Sequence, residues 1–201
     1  MELRAVGPRA LLADVADATE ALTLATWVRS ARIAADEVVP AACTVLVDGI
    51  ADLAHAREVL SRWQPTAEVP AGELVEIRVH YDGADLQAVA AWWGTDAAGV
   101  VARHTATDFV SAFCGFAPGF AYLAGLPDDL AVPRLDSPRS RVPAGAVGLA
   151  GTWCGVYPSA SPGGWQLIGR TDEVLWDPAS QRPALLAPGT RVRFRDASAD
   201  R

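Results

Sequence analysis

Two arginines separated by a single residue, Arg139 and Arg141, have a spacing well suited to binding an anion. Prolines flank the pair, and a proline disfavours helical geometry for the residue before it. An extended segment would direct both guanidinium groups to one face, about 6–7 Å apart, which suits a phosphate or a carboxylate. Surface ion pairs with acids such as Asp136 are the alternative interpretation. Arg134 is a weaker member of the same set.

A second candidate is the segment GFAPGF, whose glycines would let a ligand approach the backbone closely. Its aromatic rings, together with Tyr122, would then form one wall of a cleft. The alternative is the corner of a β-barrel, in which case the phenylalanines belong to the core. The candidate residues of this segment are Gly115, Phe116, Pro118, Gly119 and Phe120.

The segment SPGGWQLIGR is predicted to be a tight turn that enters a strand. The consecutive glycines Gly163 and Gly164 can form an anion-binding group of backbone N–H donors, although double-glycine turns are also common for structural reasons. Gln166 is a candidate donor to a small polar ligand. Arg170 either contacts a ligand or pairs with a nearby acid such as Asp172.

The sequence lacks several motifs that would support a self-contained hydrolase mechanism. All 17 basic residues are arginines, which excludes a Walker lysine, a Schiff-base lysine and a lysine general base. No GxSxG, HExxH or P-loop motif occurs. His104 is predicted to end a helix, where a positive imidazole also has a structural benefit, so a structural role and a catalytic role both stay open for it.

Charge and cysteine content limit the partners and the compartment. The net charge is −7, so no attraction to nucleic acid or to anionic lipid is expected. Three cysteines without a CxxC motif suit a reducing compartment, and the first residues have no signal-peptide pattern. We therefore expect a cytoplasmic protein. The uncharged runs 109–127 and 142–169 are predicted to form a loop-rich barrel core, with any remainder forming a mostly apolar surface for a partner.

Two domains are predicted to position these candidates. Residues 1–70 have the pattern of a small α+β domain of ferredoxin-like character, with helices at 18–33 and 52–63. Residues 64–72 have the composition of a linker. Residues 73–201 begin with an alternating strand at 73–81 and two helices, at 85–93 and from a Thr95 cap to His104, followed by short strands of a mainly-β barrel.

Three motifs carry a family resemblance: GFAPGFAYLAGLP, PRLDSPRSRVPAG and YPSASPGGWQLIGRT. In this order they resemble the KipI / allophanate hydrolase subunit 1 family, whose members are also known as 5-oxoprolinase B subunits. The resemblance covers essentially the whole chain, most strongly from His104 to Phe194. It implies a cyclophilin-like barrel and places His104 at a family motif position. Thr152, Trp153 and Cys154 depart from the family pattern.

The resemblance also implies a function that the residues alone do not specify. Such proteins are similar to the B subunit of an ATP-dependent 5-oxoprolinase. That subunit acts with a homologous C subunit of the KipA / allophanate hydrolase subunit 2 type, and with an A subunit of the LamB/YcsF type. ATP with Mg²⁺ is the implied cofactor, and the chain alone is expected to be inactive. The alternatives are a KipI-like inhibitor of a histidine kinase and a carboxyltransferase-type protein related to urea carboxylase and allophanate metabolism.

Overall fold

The computed structural model describes residues 1–66 and 72–199, and the chain divides into two compact units, Met1–Ala71 and Gly72–Arg201. Most of the predicted linker, residues 67–71, lies outside the described residues. Each unit has its own hydrophobic cluster of buried side chains. No helix in the described parts of the chain is long and apolar enough to cross a membrane.

The first unit is a four-stranded antiparallel sheet with two helices. Its sheet order is β1-β2-β4-β3, and an aspartate caps each helix: the side chain of Asp17 accepts the N–H of Glu20, and that of Asp52 accepts the N–H of His55. The elements are β1 Glu2–Ala5, β2 Leu11–Asp14, α1 Ala18–Ser30, β3 Glu37–Pro40, β4 Thr44–Asp48 and α2 Leu53–Leu60. Strand β1, which the sequence pattern did not predict, forms one edge of the sheet beside β2.

The second unit is built around a seven-stranded sheet in the order β12-β9-β10-β7-β6-β13-β5, in which only the β5–β13 pair is parallel. The backbones of His80 and Arg170 exchange two hydrogen bonds of 2.8 and 2.9 Å, which join the end of β5 to the end of β12. The two outer strands of the sheet therefore meet, and the sheet is nearly closed, as a barrel is. The prediction of a mainly-β, barrel-like second unit is confirmed at this level.

The elements of the second unit follow the predicted order of one strand, two helices and then short strands. They are β5 Leu74–Val79, α3 Leu86–Trp92, α4 Ala97–Ala106, β6 Phe109–Cys114, β7 Ala121–Ala124, a 3₁₀ turn Asp128–Leu130, β8 Arg139–Val142, β9 Ala146–Ala150, β10 Trp153–Val156, β11 Ser161–Gly163, β12 Gln166–Arg170 and β13 Arg191–Asp196. Strands β8 and β11 form a separate two-stranded sheet. The cap of α4 is Asp96, whose carboxylate accepts the N–H of Gly99, so the prediction of a Thr95 cap is wrong.

The two uncharged segments form the interior of this unit. Every residue of β9 is buried, and β10 and β12 are buried at all but one position each. Among the large hydrophobic side chains of residues 109–127 and 142–169, only Phe116 is exposed. The prediction of a barrel core is confirmed. The prediction that these segments also supply a large apolar surface is wrong, because the barrel itself buries them.

Candidate functional site

A cleft of about 350 Å³ opens in the second unit at the point where three of the predicted segments meet. It contains Phe116 and Phe120 from GFAPGF, Arg134 from the following loop, and Gly163 and Gly164 from SPGGW. The complete lining is Phe116, Phe120, Tyr122, Arg134, Pro138, Tyr157, Pro162, Gly163, Gly164 and Trp165. The structure thus brings together five candidates that the sequence could only place on separate loops.

Phe120 lies at the centre of an aromatic cluster beneath the cleft. Its ring meets those of Phe116, Tyr157 and Trp165 at centroid distances of 5.3 Å, all edge to face. Phe120 and Trp165 are buried, whereas Phe116 is 60% exposed at the rim. Phe120 is therefore a core residue that shapes the floor, and Phe116 is the ring available to a ligand.

The backbone of the GFAPGF loop is held in an uncommon conformation. Phe116 has φ of 69°, a value that residues other than glycine rarely adopt and that costs about 1 kcal/mol or more. The turn is closed by hydrogen bonds from the N–H of Gly115 to the carbonyl of Phe120 and from the N–H of Phe120 to the carbonyl of Ala117. Gly119 is structural, because with φ of 83° a Cβ there would lie 2.7 Å from the Cβ of Trp176.

The remaining two candidates of this loop have weaker constraints. Pro118 is exposed and is not part of the cleft lining. A Cβ at Gly115 would meet only the ring of Tyr122, at 3.7 Å, so that position does not need glycine for space. Neither residue contributes a polar side chain that contacts a ligand.

The double-glycine turn forms the opposite side of the cleft, and its two glycines have different roles. A Cβ at Gly163 would collide with the hydroxyl group of Tyr157, whereas the nearest atom to a Cβ at Gly164 is 3.6 Å away. The carbonyl of Gly164 accepts the N–H of Leu135 at 2.8 Å, which ties this turn to the loop that carries Arg134. Gly163 thus lets the tyrosine approach, and Gly164 keeps the surface of the cleft open.

The three arginines that precede β9 differ in what they contact. Arg139 donates to both carboxylate oxygens of Asp85, at 2.7 and 2.9 Å, and to the carbonyl of Trp165 at 3.3 Å. Arg134 and Arg141 are exposed and have no hydrogen-bonded or ion-pair partner within the described residues. Arg139 and Arg141 therefore do not form the predicted paired anion site, because the guanidinium of Arg139 is bound to the carboxylate of Asp85 at the start of α3.

Asp85 is the residue of this region that sequence reasoning missed. Besides the two bonds from Arg139, its carboxylate accepts the N–H of Leu167 at 2.7 Å. The carboxylate thus links α3 to both β8 and β12 behind the cleft wall. The only signal in the sequence was the position of Asp85 at the start of a predicted helix, where aspartate is a common capping residue. In the structure the side chain of Asp85 makes no capping hydrogen bond.

The phenol of Tyr157 lies between the aromatic cluster and the glycine turn. Burial raises the pKa of this phenol, and the backbone amide of Trp165 and the positive charges of Arg134 and Arg139 partly oppose this effect. The hydroxyl is therefore protonated near neutral pH. It stands as a neutral polar group beside the glycine turn.

His104 lies in the core, away from the cleft. Its side chain is fully buried, with Nδ1 2.7 Å from the hydroxyl of Tyr81 and Nε2 3.3 Å from Sγ of Cys154. Burial lowers the pKa of His104 to about 3, so the ring is neutral. The prediction of a catalytic or ligand role for His104 is at odds with this burial, because no ligand reaches a side chain with 0% exposure.

Gln166 and Arg170 also have structural partners. The side-chain amide of the buried Gln166 donates to the carbonyl of Pro133 at 2.9 Å, so it supports the cleft loop and does not face a ligand. Arg170 forms an exposed ion pair with Asp82 at 3.0 Å, and not with the predicted Asp172. Neither residue is part of the cleft lining.

The donor set of the cleft does not fit a magnesium ion. Mg²⁺ is bound in proteins through carboxylates and waters, and the described lining residues include no acid. Groups of three or more His, Cys, Asp or Glu side chains with metal-binding geometry are also missing from residues 1–66 and 72–199. The implied Mg²⁺ and its nucleotide therefore have no recognisable site in this cleft.

Comparison with known proteins shows the family to which the chain belongs. Residues 1–186 match the family described as "Carboxyltransferase domain, subdomain C and D", and the chain belongs to this family. A crystal structure of TTHA0988 aligns with a TM-score of 0.80 and 34% identity, over 94% of this chain and 40% of that chain. The urea carboxylase of Kluyveromyces lactis aligns with a TM-score of 0.67 over 98% of this chain and 22% of that chain, and at 16% identity this likeness concerns the fold alone.

Within this class, curated relatives carry one common name. The chain is 49% identical over 144 residues to the 5-oxoprolinase B subunit of Escherichia coli O157:H7, covering 69% of this chain and 66% of the relative. It is 43% identical over 126 residues to the 5-oxoprolinase B subunit of Haemophilus influenzae, covering 61% and 59% respectively. The matches span less than two thirds of the length of either relative.

Proposed function

We propose that this chain is the B subunit of an ATP-dependent 5-oxoprolinase. The observation that carries the proposal is the 49% identity to a protein of that name, together with an aromatic cleft that holds an unpaired arginine. In the proposed reaction the γ-phosphoryl group of ATP is transferred to the amide oxygen of 5-oxoproline, which releases ADP, and water then opens the ring to give glutamate and inorganic phosphate. The complex would be cytoplasmic, and the fold would combine a ferredoxin-like first domain, residues 1–70, with a cyclophilin-like barrel, residues 73–201.

The chain is proposed to work only as part of a complex. Among the described residues, the cleft contains neither a nucleophile with an adjacent general base nor an acidic side chain that could hold Mg²⁺. A homologous KipA-type partner and a LamB/YcsF-type partner of another fold would supply the missing groups. In this proposal the cleft of the chain binds and orients a ligand, and Arg141 adds an exposed positive charge on β8, the strand that follows the cleft residue Pro138.

Reconstitution tests this proposal. The purified chain is mixed with the KipA-type and LamB/YcsF-type partners from the same genome, and ATP-dependent loss of 5-oxoproline is measured together with the formation of glutamate. We expect turnover with all three proteins and none when any one is omitted. Turnover by this chain alone would refute the proposal that it works only as part of a complex. A complex that assembles but does not consume 5-oxoproline would refute the assignment of 5-oxoproline as the substrate.

A carboxyltransferase-related role is the second candidate, because the family description and the urea carboxylase fold both point to it. The same reconstituted complex distinguishes it. Dependence of activity on a biotinylated partner and on bicarbonate, in place of 5-oxoproline, would favour that role.

A further inference from the structure

The cleft combines many aromatic side chains with a single free positive charge. Five of its ten described lining residues are aromatic, and the only ionised side chain among them is that of Arg134. Arg139, which lies behind Trp165, is already neutralised by Asp85. A ligand that enters this cleft thus meets one guanidinium and the exposed ring of Phe116, above a floor of buried rings.

The size of the cleft limits the ligand further. A volume of about 350 Å³ is at the low end of the range for small-molecule sites, which is about 300–1,000 Å³. The exposed ring of Phe116 stands at the rim, on a backbone conformation that residues other than glycine rarely adopt. A flat molecule of modest size can pack one face against this ring while the buried Trp165 and Phe120 close the floor.

A magnesium nucleotide fits this chemistry poorly. Three phosphates carry several negative charges, and proteins neutralise them with more than one cation and with carboxylates that hold the metal ion. The described lining offers one arginine and no carboxylate. A small ring with a single negative charge is the better match, because one guanidinium pairs with one carboxylate in two parallel hydrogen bonds.

We infer that the cleft binds a small five-membered ring that carries one carboxylate, and that the nucleotide of the reaction is bound elsewhere. Arg134 pairs with the carboxylate and Phe116 covers the face of the ring. This inference rests on the proposed function, in which 5-oxoproline, a five-membered cyclic amide with one carboxylate, is such a ligand. The inference assigns 5-oxoproline to the cleft of this chain and ATP to a different site.

Calorimetric titration of the purified full chain tests the inference directly. The probes are 5-oxoproline, its uncharged methyl ester and ATP with Mg²⁺. We expect saturable binding of 5-oxoproline, at least tenfold weaker binding of the ester, and no displacement of 5-oxoproline by the nucleotide. Arg134→Ala should weaken binding of 5-oxoproline about tenfold or more, because a charge-assisted hydrogen bond is lost. Arg182→Ala, which alters an 84% exposed arginine outside the cleft, should leave binding unchanged.

A further probe separates this inference from the proposed function. Pyrrole-2-carboxylate is a flat monoanion without a lactam bond to open. If the reconstituted complex does not consume 5-oxoproline but this probe binds and Arg134→Ala abolishes its binding, the proposed function fails and the inference stands. If the complex is active but ATP with Mg²⁺ displaces 5-oxoproline from the chain, the inference alone fails. The inference also fails if neither 5-oxoproline nor pyrrole-2-carboxylate binds, or if the Arg134→Ala variant binds both with the affinity of the unaltered chain.

Discussion

Replacing Asp85 by alanine should destabilise the second unit and deform the cleft. The carboxylate accepts three hydrogen bonds, two from Arg139 and one from the N–H of Leu167, at 2.7 to 2.9 Å. The two side chains of the ion pair are only 27% and 12% exposed, for Arg139 and Asp85 respectively. Asp85→Ala therefore leaves a guanidinium and a backbone amide without their acceptor in a place where water has limited access.

The expected loss follows from these contacts. Breaking a fully buried ion pair by removing one partner costs about 3–5 kcal/mol, and water that reaches the partly exposed Arg139 recovers some of it. The lost bond to the N–H of Leu167 adds about 1 kcal/mol. We expect a decrease of about 2–4 kcal/mol in the free energy of unfolding, and a lowering of Tm by roughly 5–12 °C for a chain of this size.

A matched control lies three residues earlier. Asp82 also pairs with an arginine, Arg170, but both side chains are more than half exposed, so Asp82→Ala should cost less than about 1 kcal/mol. Urea unfolding of both variants, followed by a double-mutant cycle with Arg139→Met, measures the coupling between Asp85 and Arg139. A coupling energy near zero, or equal losses for the two aspartate variants, would refute the structural role of the Asp85 carboxylate.

Three further outcomes are expected. Because the pKa of His104 falls from 6.5 to about 3 on folding, its contribution to stability is complete well above pH 6.5 and is lost as the pH falls, with a slope that steepens below pH 6.5 towards about 1.4 kcal/mol per pH unit; urea unfolding at pH 7, 6 and 5 should show this steepening loss, and His104→Leu should flatten it. Gly163→Ala should lower Tm because its Cβ collides with the hydroxyl of Tyr157, whereas Gly164→Ala should not; equal melting curves would contradict the collision. Arg141→Ala should reduce the activity of the reconstituted complex about 10- to 150-fold, the equivalent of a lost charge-assisted hydrogen bond, with little change in Tm, and unchanged kinetics would remove Arg141 from the proposal.

Local patterns predicted much of the second unit because they follow from the geometry of strands and turns. The alternation around Ile77 and Val79 predicted a strand with one buried face, and both side chains are fully buried in β5. The glycines of GFAPGF and SPGGW predicted a loop and a tight turn, and residues of both segments line the cleft. In each case the local structure follows from the residue itself and its nearest neighbours in sequence, so it could be predicted without knowing the fold.

The partners of the charged side chains were not predictable in the same way. Arg139 and Asp85 are separated by 54 residues, and Gln166 and Pro133 by 33. The prolines that flank Arg139 and Arg141 correctly predicted an extended segment, but they carried no information about which acid the fold brings to one of the two arginines. His104 was ambiguous for the same reason, since only the barrel decides whether a helix end is solvated or buried.

The charge of the cleft is thus set by a residue that lies outside its lining. Three arginines occur within eight positions of the chain, at 134, 139 and 141, and the sequence alone presents them as one positive cluster able to hold a phosphate. Asp85 withdraws Arg139 from this cluster, and Arg141 is not part of the cleft lining, so a single positive charge remains at the cleft. Since the strength of anion binding depends on the number of available cations, the position of one carboxylate at the start of α3 changes the expected ligand from a polyphosphate to a monoanion.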